Sequence, residues 1–402
     1  MEEFDFEHAL DRAGHDALAI DALGAHGVPG RPKPGFDPIP MWVADMSFAT
    51  APAITRALVE RAEHPAFGYF RPRAEYFQSI IDWHRRRNGV EGLTASCIGY
   101  ENGVLGGVAS ALEAFSSPGD RVLVHAPTYI GFNHTVARSG RRLEYSPLVR
   151  DDQGVWRMDF DDMERRIIDG HIHVVVFCSP HNPSGRVWER WELERAAELF
   201  RRHDCVVICD EIWSDLLLDG HEHVPFQSVS DDARMRTVAL YAPSKTFNLA
   251  GLVGSYHIVY NPYLRDRLVS AANRTGYNAM NVLSMHALIA AYSADGERWL
   301  DALLPVLSNN ARYAVGFVRA HFDGVSVARP QGTYMLFLDC AQWCREHETT
   351  PDELLRAAWD VGVACQDGRP FGGEATVRLN LALPHAREVE AFERLDRYVF
   401  NR

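Results

Sequence analysis

The sequence of 402 residues lacks an excess of positive charge, because 41 Lys and Arg residues face 54 Asp and Glu residues for a formal net charge of −13. An acidic chain repels phosphate groups, so neither a nucleic-acid partner nor an anionic membrane surface is expected. Any anionic ligand must then be bound by local arginines. Hydrophobic residues make up 47% and charged residues 24% of the chain, values that are ordinary for a globular protein.

Long apolar runs, repeats and low-complexity segments are also absent. No uninterrupted apolar stretch has membrane length, and the N-terminal residues 1–5 (MEEFD) are acidic, so neither membrane insertion nor export is expected. The seven cysteines are scattered, and Cys178, Cys205 and Cys209 fall within apolar runs. Reduced thiols of this kind favour a cytoplasmic protein.

Short β-branched runs alternate with amphipathic stretches through the middle of the chain. The runs cover residues 121–125, 173–177, 205–209, 237–241 and 255–260. This alternation predicts the α/β class, with a mostly parallel sheet covered by helices.

The pattern changes beyond about residue 290, where a smaller α+β domain is predicted. Its expected elements are a helix over residues 297–322, a strand over 334–338, a helix over 351–361 and a strand over 376–383. A chain of this length has room for two domains. We therefore predict an N-terminal arm (residues 1–45), a large domain (46–290) and a small C-terminal domain (291–402).

Three polar residues follow apolar runs and are expected at the carboxyl ends of parallel strands, where open α/β sheets place their ligands. Lys245 lies in APSKTFNLAG (residues 242–251), Asp210 ends the apolar run 205–209, and Asn182 lies in SPHNPSG (179–185). Alone, Lys245 is typical of an exposed loop lysine. Together with an aspartate that can keep a pyridine nitrogen protonated, it can form a Schiff base with an aldehyde cofactor. The set predicts a pyridoxal phosphate site.

Three further motifs suit that cofactor. The segment NGVLGG (residues 102–107) precedes a helical stretch whose first amides can bind a phosphate, although a structural turn has the same pattern. Tyr129 follows a predicted strand and can cover a cofactor ring or pack in the core. Arg378 interrupts an apolar strand and suits bidentate binding of a substrate carboxylate, with a structural salt bridge as the alternative.

Two other chemistries lack support in the sequence. The His-x-His pairs at residues 171–173 and 221–223 have no carboxylate or cysteine at a recognised ligand spacing, so no metal site is predicted. Ser184 and Ser244 lack the glycine elbow of a hydrolase nucleophile.

The motifs together resemble the fold-type I pyridoxal phosphate enzymes, the aspartate aminotransferase superfamily, from Trp42 to Arg378. Within it the chain is most similar to the cystathionine beta-lyase-like carbon–sulfur lyases. The specific phrases are MWVADM (residues 41–46), APSKTFNLAG and RLNLA (378–382). The resemblance implies a large domain with a mostly parallel seven-stranded sheet flanked by helices, and an N-terminal arm packed with the small domain.

The resemblance also implies roles for matching positions in the cofactor site. Lys245 is the Schiff-base lysine and proton shuttle, Asp210 the partner of the pyridinium nitrogen, and Asn182 a donor to the ring oxygen. Tyr129 stacks on the ring, and Trp213 lies near the ring oxygen. The implied phosphate neighbours are Gly103, Val104, Leu105 and Ser244.

Substrate and partner contacts are implied in the same way. Arg378 is expected to bind the carboxylate of a small amino-acid substrate, with Asn182 and Trp42 beside it. Tyr69 matches a tyrosine that reaches the phosphate of the neighbouring subunit, which implies a homodimer with shared active sites.

Four positions depart from the family pattern. Trp213 stands where a tyrosine or histidine is usual, and Ser47 replaces an aspartate of related lyases. Ala242 and Val253 replace the serine and arginine that aminotransferases place around the phosphate, which favours the lyase branch. Trp213 and Ser47 leave the substrate and the reaction outcome open.

The predicted reaction is β-elimination of a thiol from a cysteine S-conjugate or cystathionine-like amino acid, with pyruvate and ammonia as the other products. Two alternatives use the same site: transamination, and decarboxylation or oxidative deamination of an S-substituted cysteine. A transcription regulator with this fold would need a basic DNA-binding module, and the residues before Trp42 show no helix-turn-helix pattern.

Overall fold

The computed structural model describes residues 4–276 and 278–401 of the chain. The strands are β1 (Ile39–Pro40), β2 (Ile98–Asn102), β3 (Arg121–Ala126), β4 (Arg142–Arg150), β5 (Trp156–Met158), β6 (Val174–Cys178), β7 (Val206–Asp210), β8 (Thr237–Tyr241), β9 (Gly254–Ile258), β10 (Ser326–Val327), β11 (Met335–Asp339), β12 (Val363–Ala364), β13 (Gln366–Asp367) and β14 (Thr376–Asn380).

The α-helices surround these strands. They are α1 (Leu18–Asp21), α2 (Pro52–Glu63), α3 (Ala74–Asn88), α4 (Val104–Phe115), α5 (Ile130–Arg138), α6 (Phe160–Gly170), α7 (Arg190–Arg202), α8 (Asp231–Arg236), α9 (Pro262–Thr275), α10 (Val282–Ala291), α11 (Ala294–His321), α12 (Ala341–Glu346), α13 (Pro351–Asp360) and α14 (His385–Leu395).

The large sheet has the strand order β2-β9-β8-β7-β6-β3-β4-β5. The pairs from β8 through β7, β6 and β3 to β4 are parallel, whereas β9 runs antiparallel to both of its neighbours. Every residue of β6 and β8 is buried, as expected for strands covered by helices on both faces. The predicted α/β class and mostly parallel sheet are confirmed, and the three-residue β5 adds an edge strand to the seven expected.

Helix α4 packs tightly on the large sheet because it carries two glycines, Gly106 and Gly107, in its N-terminal half. A Cβ atom on Gly107 would lie 2.6 Å from Cδ2 of Leu240 in β8, so only glycine permits this approach. The close packing brings the N-terminus of α4 to the carboxyl ends of the parallel strands, the edge where α/β sheets bind ligands.

A smaller antiparallel sheet follows in the C-terminal part of the chain, with the order β10-β11-β14-β13. Strand β14 lies between β11 and β13, so Arg378 is opposite Phe337 on one side and Gln366 on the other. The predicted small C-terminal sheet domain is confirmed.

The N-terminal segment is joined to this C-terminal region by backbone pairing. Strand β1 pairs in parallel with β12, with Ile39 opposite Val363. The arm that the resemblance implies thus contacts the C-terminal region, and the three domain boundaries stay predictions. No helix within residues 4–276 and 278–401 has the length and apolar character needed to cross a membrane.

Candidate active site

A cavity of about 340 Å³ opens where the carboxyl ends of β6, β7 and β8 meet the N-terminus of α4. Nine of the predicted site residues line it: Gly103, Val104, Leu105, Tyr129, Asn182, Asp210, Trp213, Ser244 and Lys245. The volume is sufficient for a small cofactor and its substrate.

Lys245 projects into this cavity from the loop after β8. Its Nζ donates to the carbonyl oxygen of Ala44 at 2.9 Å. Burial, helped by the charge of Arg378, lowers the pKa of the amine to about 8, against an opposing effect of the nearby carboxylates. The chain contains only one other lysine, Lys33, which forms a salt bridge with Asp360 at 2.6 Å and is largely exposed. An amine with a pKa of about 8 is neutral in a useful fraction near neutral pH.

Asp210 ends β7 and faces the same cavity. Its Oδ1 accepts a hydrogen bond from the backbone N–H of Ile212 at 3.0 Å. Burial raises the pKa of this carboxyl to about 7, and the charge of Lys245 only partly opposes the effect. A buried carboxylate without an ion-pair partner in the described chain is suited to a cationic ligand.

The N-terminus of α4 also lines the cavity. Gly103 is the N-cap residue, with φ of 73° and no side-chain cap, so the first amides of the helix are available to an anion. A Cβ on Gly103 would lie 3.7 Å from Cγ1 of Val253. Val253 itself has φ of 59°, a costly conformation for a β-branched residue. Ser244 also lines the cavity.

Two aromatic residues border the cavity. Tyr129 precedes α5, and a Cβ on Gly131 would lie 2.4 Å from its Cε1, so this glycine leaves room for the ring. Trp213 is 2% exposed and packs edge-on against Tyr334, with ring centroids 4.8 Å apart. Nζ of Lys245 lies 5.9 Å from the centre of the Trp213 ring.

Arg378 lies beside the cavity and is 3% exposed. Its guanidinium donates to neutral oxygens: Oδ1 of Asn182 at 3.3 Å, the carbonyl of Trp42 at 3.1 Å and Oε1 of Gln366. Its Nε has no hydrogen-bond partner among the described residues, and it packs 4.6 Å from the Phe371 ring centre. Burial lowers the pKa of the guanidinium to about 10. A buried guanidinium with an unpartnered donor among the described residues is suited to an anion.

Asn182 and Trp42 are placed by these contacts. Because the Asn182 carboxamide oxygen accepts from Arg378, its amide nitrogen is left to donate to a ligand. Trp42 contributes its backbone carbonyl, while its indole Nε1 donates to the carbonyl of Ala19 at 3.0 Å. Its ring is thus directed to the arm.

Tyr69 lies away from the cavity within the single chain. Its side chain is fully exposed and lines a separate groove with Phe67, Tyr100 and Met280.

No group of three or more His, Cys, Asp or Glu side chains could hold a metal ion in the part of the chain that the structure describes; His223 instead forms a buried pair with Glu211 at 2.6 Å.

Sequence reasoning did not find Gln366, Phe371, Tyr334 or the Ala44 carbonyl. Gln366 reaches Arg378 only through the register of β13 with β14, and a backbone acceptor has no residue-type signature. The composition carries one further signal. The chain has only two lysines, so a Schiff-base lysine must be one of these two residues.

The chain belongs to the aminotransferase class I and II family, whose model matches residues 37–395. Cystathionine beta-lyase PatB of Bacillus subtilis (strain 168) is 36% identical over 93% of this chain and 94% of its own length. Cystalysin from Treponema denticola, a structure that contains pyridoxal 5′-phosphate, superposes with a TM-score of 0.89 at 28% identity, over 98% of both chains. The pyridoxal-phosphate-bound C-S lyase from Staphylococcus hominis gives 0.88 at 26% identity, again over 98% of both chains.

The residues present in this chain fit the same cofactor. A phosphate suits the open amides at the start of α4, and a protonated ring nitrogen suits Asp210, whose buried carboxylate has no ion-pair partner among the described residues. Lys245 supplies an amine of lowered pKa for an aldehyde. Each end of the cofactor thus corresponds to a group of complementary charge or reactivity in the cavity.

Proposed function

We propose that this protein is a pyridoxal-phosphate-dependent carbon–sulfur β-lyase. It converts a cystathionine-like S-substituted cysteine and water into a thiol, pyruvate and ammonia. The supporting observation is that Lys245 and Asp210 line one cavity, and that Arg378 donates to Asn182 in the lining of the same cavity. The similarity to a cystathionine beta-lyase along 93% of the chain supports the same assignment.

Arg378 orients the substrate. Its buried guanidinium binds the α-carboxylate, and the unpartnered Nε provides a donor that no described protein group satisfies. Because Gln366 and the Trp42 carbonyl accept from Nη2 and Asn182 accepts from Nη1, the fork is fixed before the substrate arrives. Binding therefore places the substrate Cα–H bond at a defined position relative to Lys245.

Lys245 moves the proton. When neutral, Nζ removes the α-proton of the substrate, and the lowered pKa of about 8 raises the neutral fraction. The carbonyl of Ala44, 2.9 Å from Nζ, orients the amine. When bound, pyridoxal phosphate supplies the electron sink for the electron pair that the proton leaves behind.

The remaining residues hold the cofactor. Asp210 would retain a proton on the ring nitrogen, Asn182 would donate to the ring oxygen, and Tyr129 would cover the ring. The phosphate would lie against the amides of Val104 and Leu105 and the hydroxyl of Ser244, beside Gly103. Trp213, which lines the cavity, would offer an indole donor where related enzymes have a tyrosine or histidine.

We also propose a cytoplasmic homodimer with shared active sites. Residues 65–73 form neither helix nor strand and are exposed throughout, including Phe67, Tyr69 and Phe70. Exposed aromatic residues clustered in one segment are typical of an interface. Seven free, buried cysteines are consistent with a reducing compartment.

The test is to incubate the purified holoenzyme with L-cystathionine and follow thiol, pyruvate and carbon dioxide together. Release of thiol and pyruvate in equal amounts without an added keto acid is expected. Turnover that needs an added keto acid and releases no thiol would establish an aminotransferase instead. Carbon dioxide release would establish the decarboxylating alternative.

A further inference from the structure

Residues 42–46 pass beside the cavity as a segment that is neither helix nor strand, and we name them the carbonyl strap. Ala44, in the middle of the strap, lines the cavity. The chain is anchored on both sides of the strap, because the N–H of Met41 donates to the carbonyl of Ala364 at 3.0 Å and that of Ser47 to the carbonyl of Ala382 at 2.9 Å. Between these anchors, side chains determine the course of the strap.

All five carbonyl groups of the strap accept hydrogen bonds from side chains. The carbonyl of Trp42 accepts from Arg378, those of Val43 and Asp45 from Asn380, that of Ala44 from Lys245 and Tyr334, and that of Met46 from Asn248. Two of these donors, Lys245 and Arg378, are groups that the proposed function uses. The strap therefore connects the reactive amine to the arginine that binds the substrate carboxylate.

Asn380 holds the two carbonyls on either side of the Ala44 carbonyl. Its Nδ2 donates to the carbonyl of Val43 at 2.6 Å and to that of Asp45. Its Oδ1 accepts from the N–H of Ala382 at 2.7 Å, which fixes the carboxamide with its nitrogen toward the strap. Asn380 is 4% exposed, so water does not readily replace it.

The direction of the Ala44 carbonyl depends on these contacts. The carbonyls of Val43 and Asp45 point to Asn380, and the one between them points to Nζ of Lys245 at 2.9 Å. Since Met41 and Ser47 already attach the chain on both sides, Asn380 is not needed to keep the segment in place. Its contribution is the orientation of the carbonyl that the amine contacts.

Asn380 lies two residues after Arg378 on β14, so the two side chains share one face of the strand. We propose that Asn380 is a positioning residue, which acts through the carbonyl strap to aim the Ala44 carbonyl at the Lys245 amine and so sets where that amine meets the α-hydrogen of the substrate. This inference rests on the role proposed for Lys245, and it holds for any reaction at this site that begins with removal of the α-hydrogen.

The test measures how fast the holoenzyme exchanges the α-hydrogen of L-alanine in deuterated water. L-Alanine has no leaving group, so the exchange reports proton transfer alone. In Asn380→Ala the exchange rate at saturating L-alanine is expected to fall about 10–100-fold, because a displaced base transfers the proton poorly. Backbone amide hydrogen exchange across residues 41–47 of the same holoenzyme should become faster, because the strap is loosened.

Gln227→Ala is the matched control. Gln227 is 5% exposed, and its amide nitrogen also donates to two carbonyls, those of Thr237 and Ile258, both at 3.0 Å. The variant loses the same kind of contact without touching the strap, so both exchange rates should keep their wild-type values. If Asn380→Ala does not fold, Asn380→Ser, which retains one donor, replaces it with both changes expected in the same direction.

Three results would overturn the inference: unchanged amide exchange across residues 41–47, a loosened strap with wild-type exchange of the α-hydrogen, or an equal loss of that exchange in Gln227→Ala. Absence of α-hydrogen exchange in the wild-type holoenzyme would overturn it as well. Exchange of the α-hydrogen without thiol or pyruvate from any S-substituted cysteine would overturn the proposed lyase function and leave this inference standing.

Discussion

Two buried arginines of this chain differ in whether an acidic side chain neutralises them. Arg186 and Arg378 are both 3% exposed. Arg186 forms salt bridges with Glu189 and the fully buried Glu192. Arg378 has only amide and carbonyl oxygens around it, and its Nε has no partner within the described chain.

The difference indicates which buried charges have a counterion within the protein and which do not. A buried ion pair with its partner present is a structural unit, whereas a buried charge without a counterion marks a place for a ligand. Asp210 and Lys245 belong with Arg378, because burial raises the pKa of the acid and lowers that of the amine. Substitutions at these residues should separate the two kinds of buried charge.

Replacing Lys245 by Ala should abolish turnover, with a fall of at least about 10⁴-fold, because the chain loses both its covalent amine and its base. The measurement is pyruvate release from L-cystathionine. Lys33→Ala removes the only other lysine and should leave the rate unchanged. Comparable rates in the Lys245 variant would contradict the assignment.

Arg186→Met should act on stability. It leaves the carboxylate of Glu192 buried without its main partner, so the free energy of unfolding should fall by about 3–5 kcal/mol. Denaturant unfolding of the apoenzyme measures the effect. An unchanged midpoint would show that the ion pair is not the structural unit described.

Arg378→Met should have the reverse profile. We expect kcat/KM to fall by about 10²–10³-fold because the substrate carboxylate loses its receptor. The apoenzyme should be no less stable, since a buried guanidinium without a counterion is removed. A large loss of stability with normal kcat/KM would break the contrast between the two arginines.

Asp210→Asn should stabilise the apoenzyme in a pH-dependent way. In the folded chain the carboxyl pKa is about 7 instead of 3.8, so between these values the folded state holds a proton that the unfolded chain has released. Wild-type stability therefore falls as the pH rises through this window. The variant should gain about 1–4 kcal/mol above pH 7 and much less near about pH 4. Thermal melting at both pH values measures this, and equal gains at both would contradict the assignment.

Trp213→Phe should have the smallest effect. It removes one N–H donor at the cavity wall while keeping an aromatic ring against Tyr334. The expected loss in kcat/KM is about fivefold, the size of one hydrogen bond. Trp213→Tyr keeps a donor and serves as the control. Equal values for both variants would show that the indole N–H has no role.

The sequence predicted the elements with strong local signals. The apolar runs correspond to β3, β6, β7, β8 and β9. The three polar residues predicted at strand ends, Lys245, Asp210 and Asn182, line one cavity. Parallel strands end at one edge of a sheet, so residues distant in sequence converge there without any pairing information.

Other contacts depend on tertiary pairing and could not be predicted. The register of β13 with β14 decides that Gln366 faces Arg378, and both strands lack a local signal for that register. The contact between Lys245 and the Ala44 carbonyl requires the N-terminal segment to fold back over the site. Tyr69 was assigned through the resemblance, and its proposed role requires a second subunit.

Reduction of the holoenzyme with borohydride, followed by peptide mass analysis, tests directly whether the cofactor is attached to Lys245. With only two lysines in the chain, the result has few possible outcomes. Cofactor mass is expected on the peptide that contains Lys245, with none on the peptide that contains Lys33. Cofactor mass on the Lys33 peptide, or on neither peptide, would contradict the assignment of Lys245 as the Schiff-base lysine.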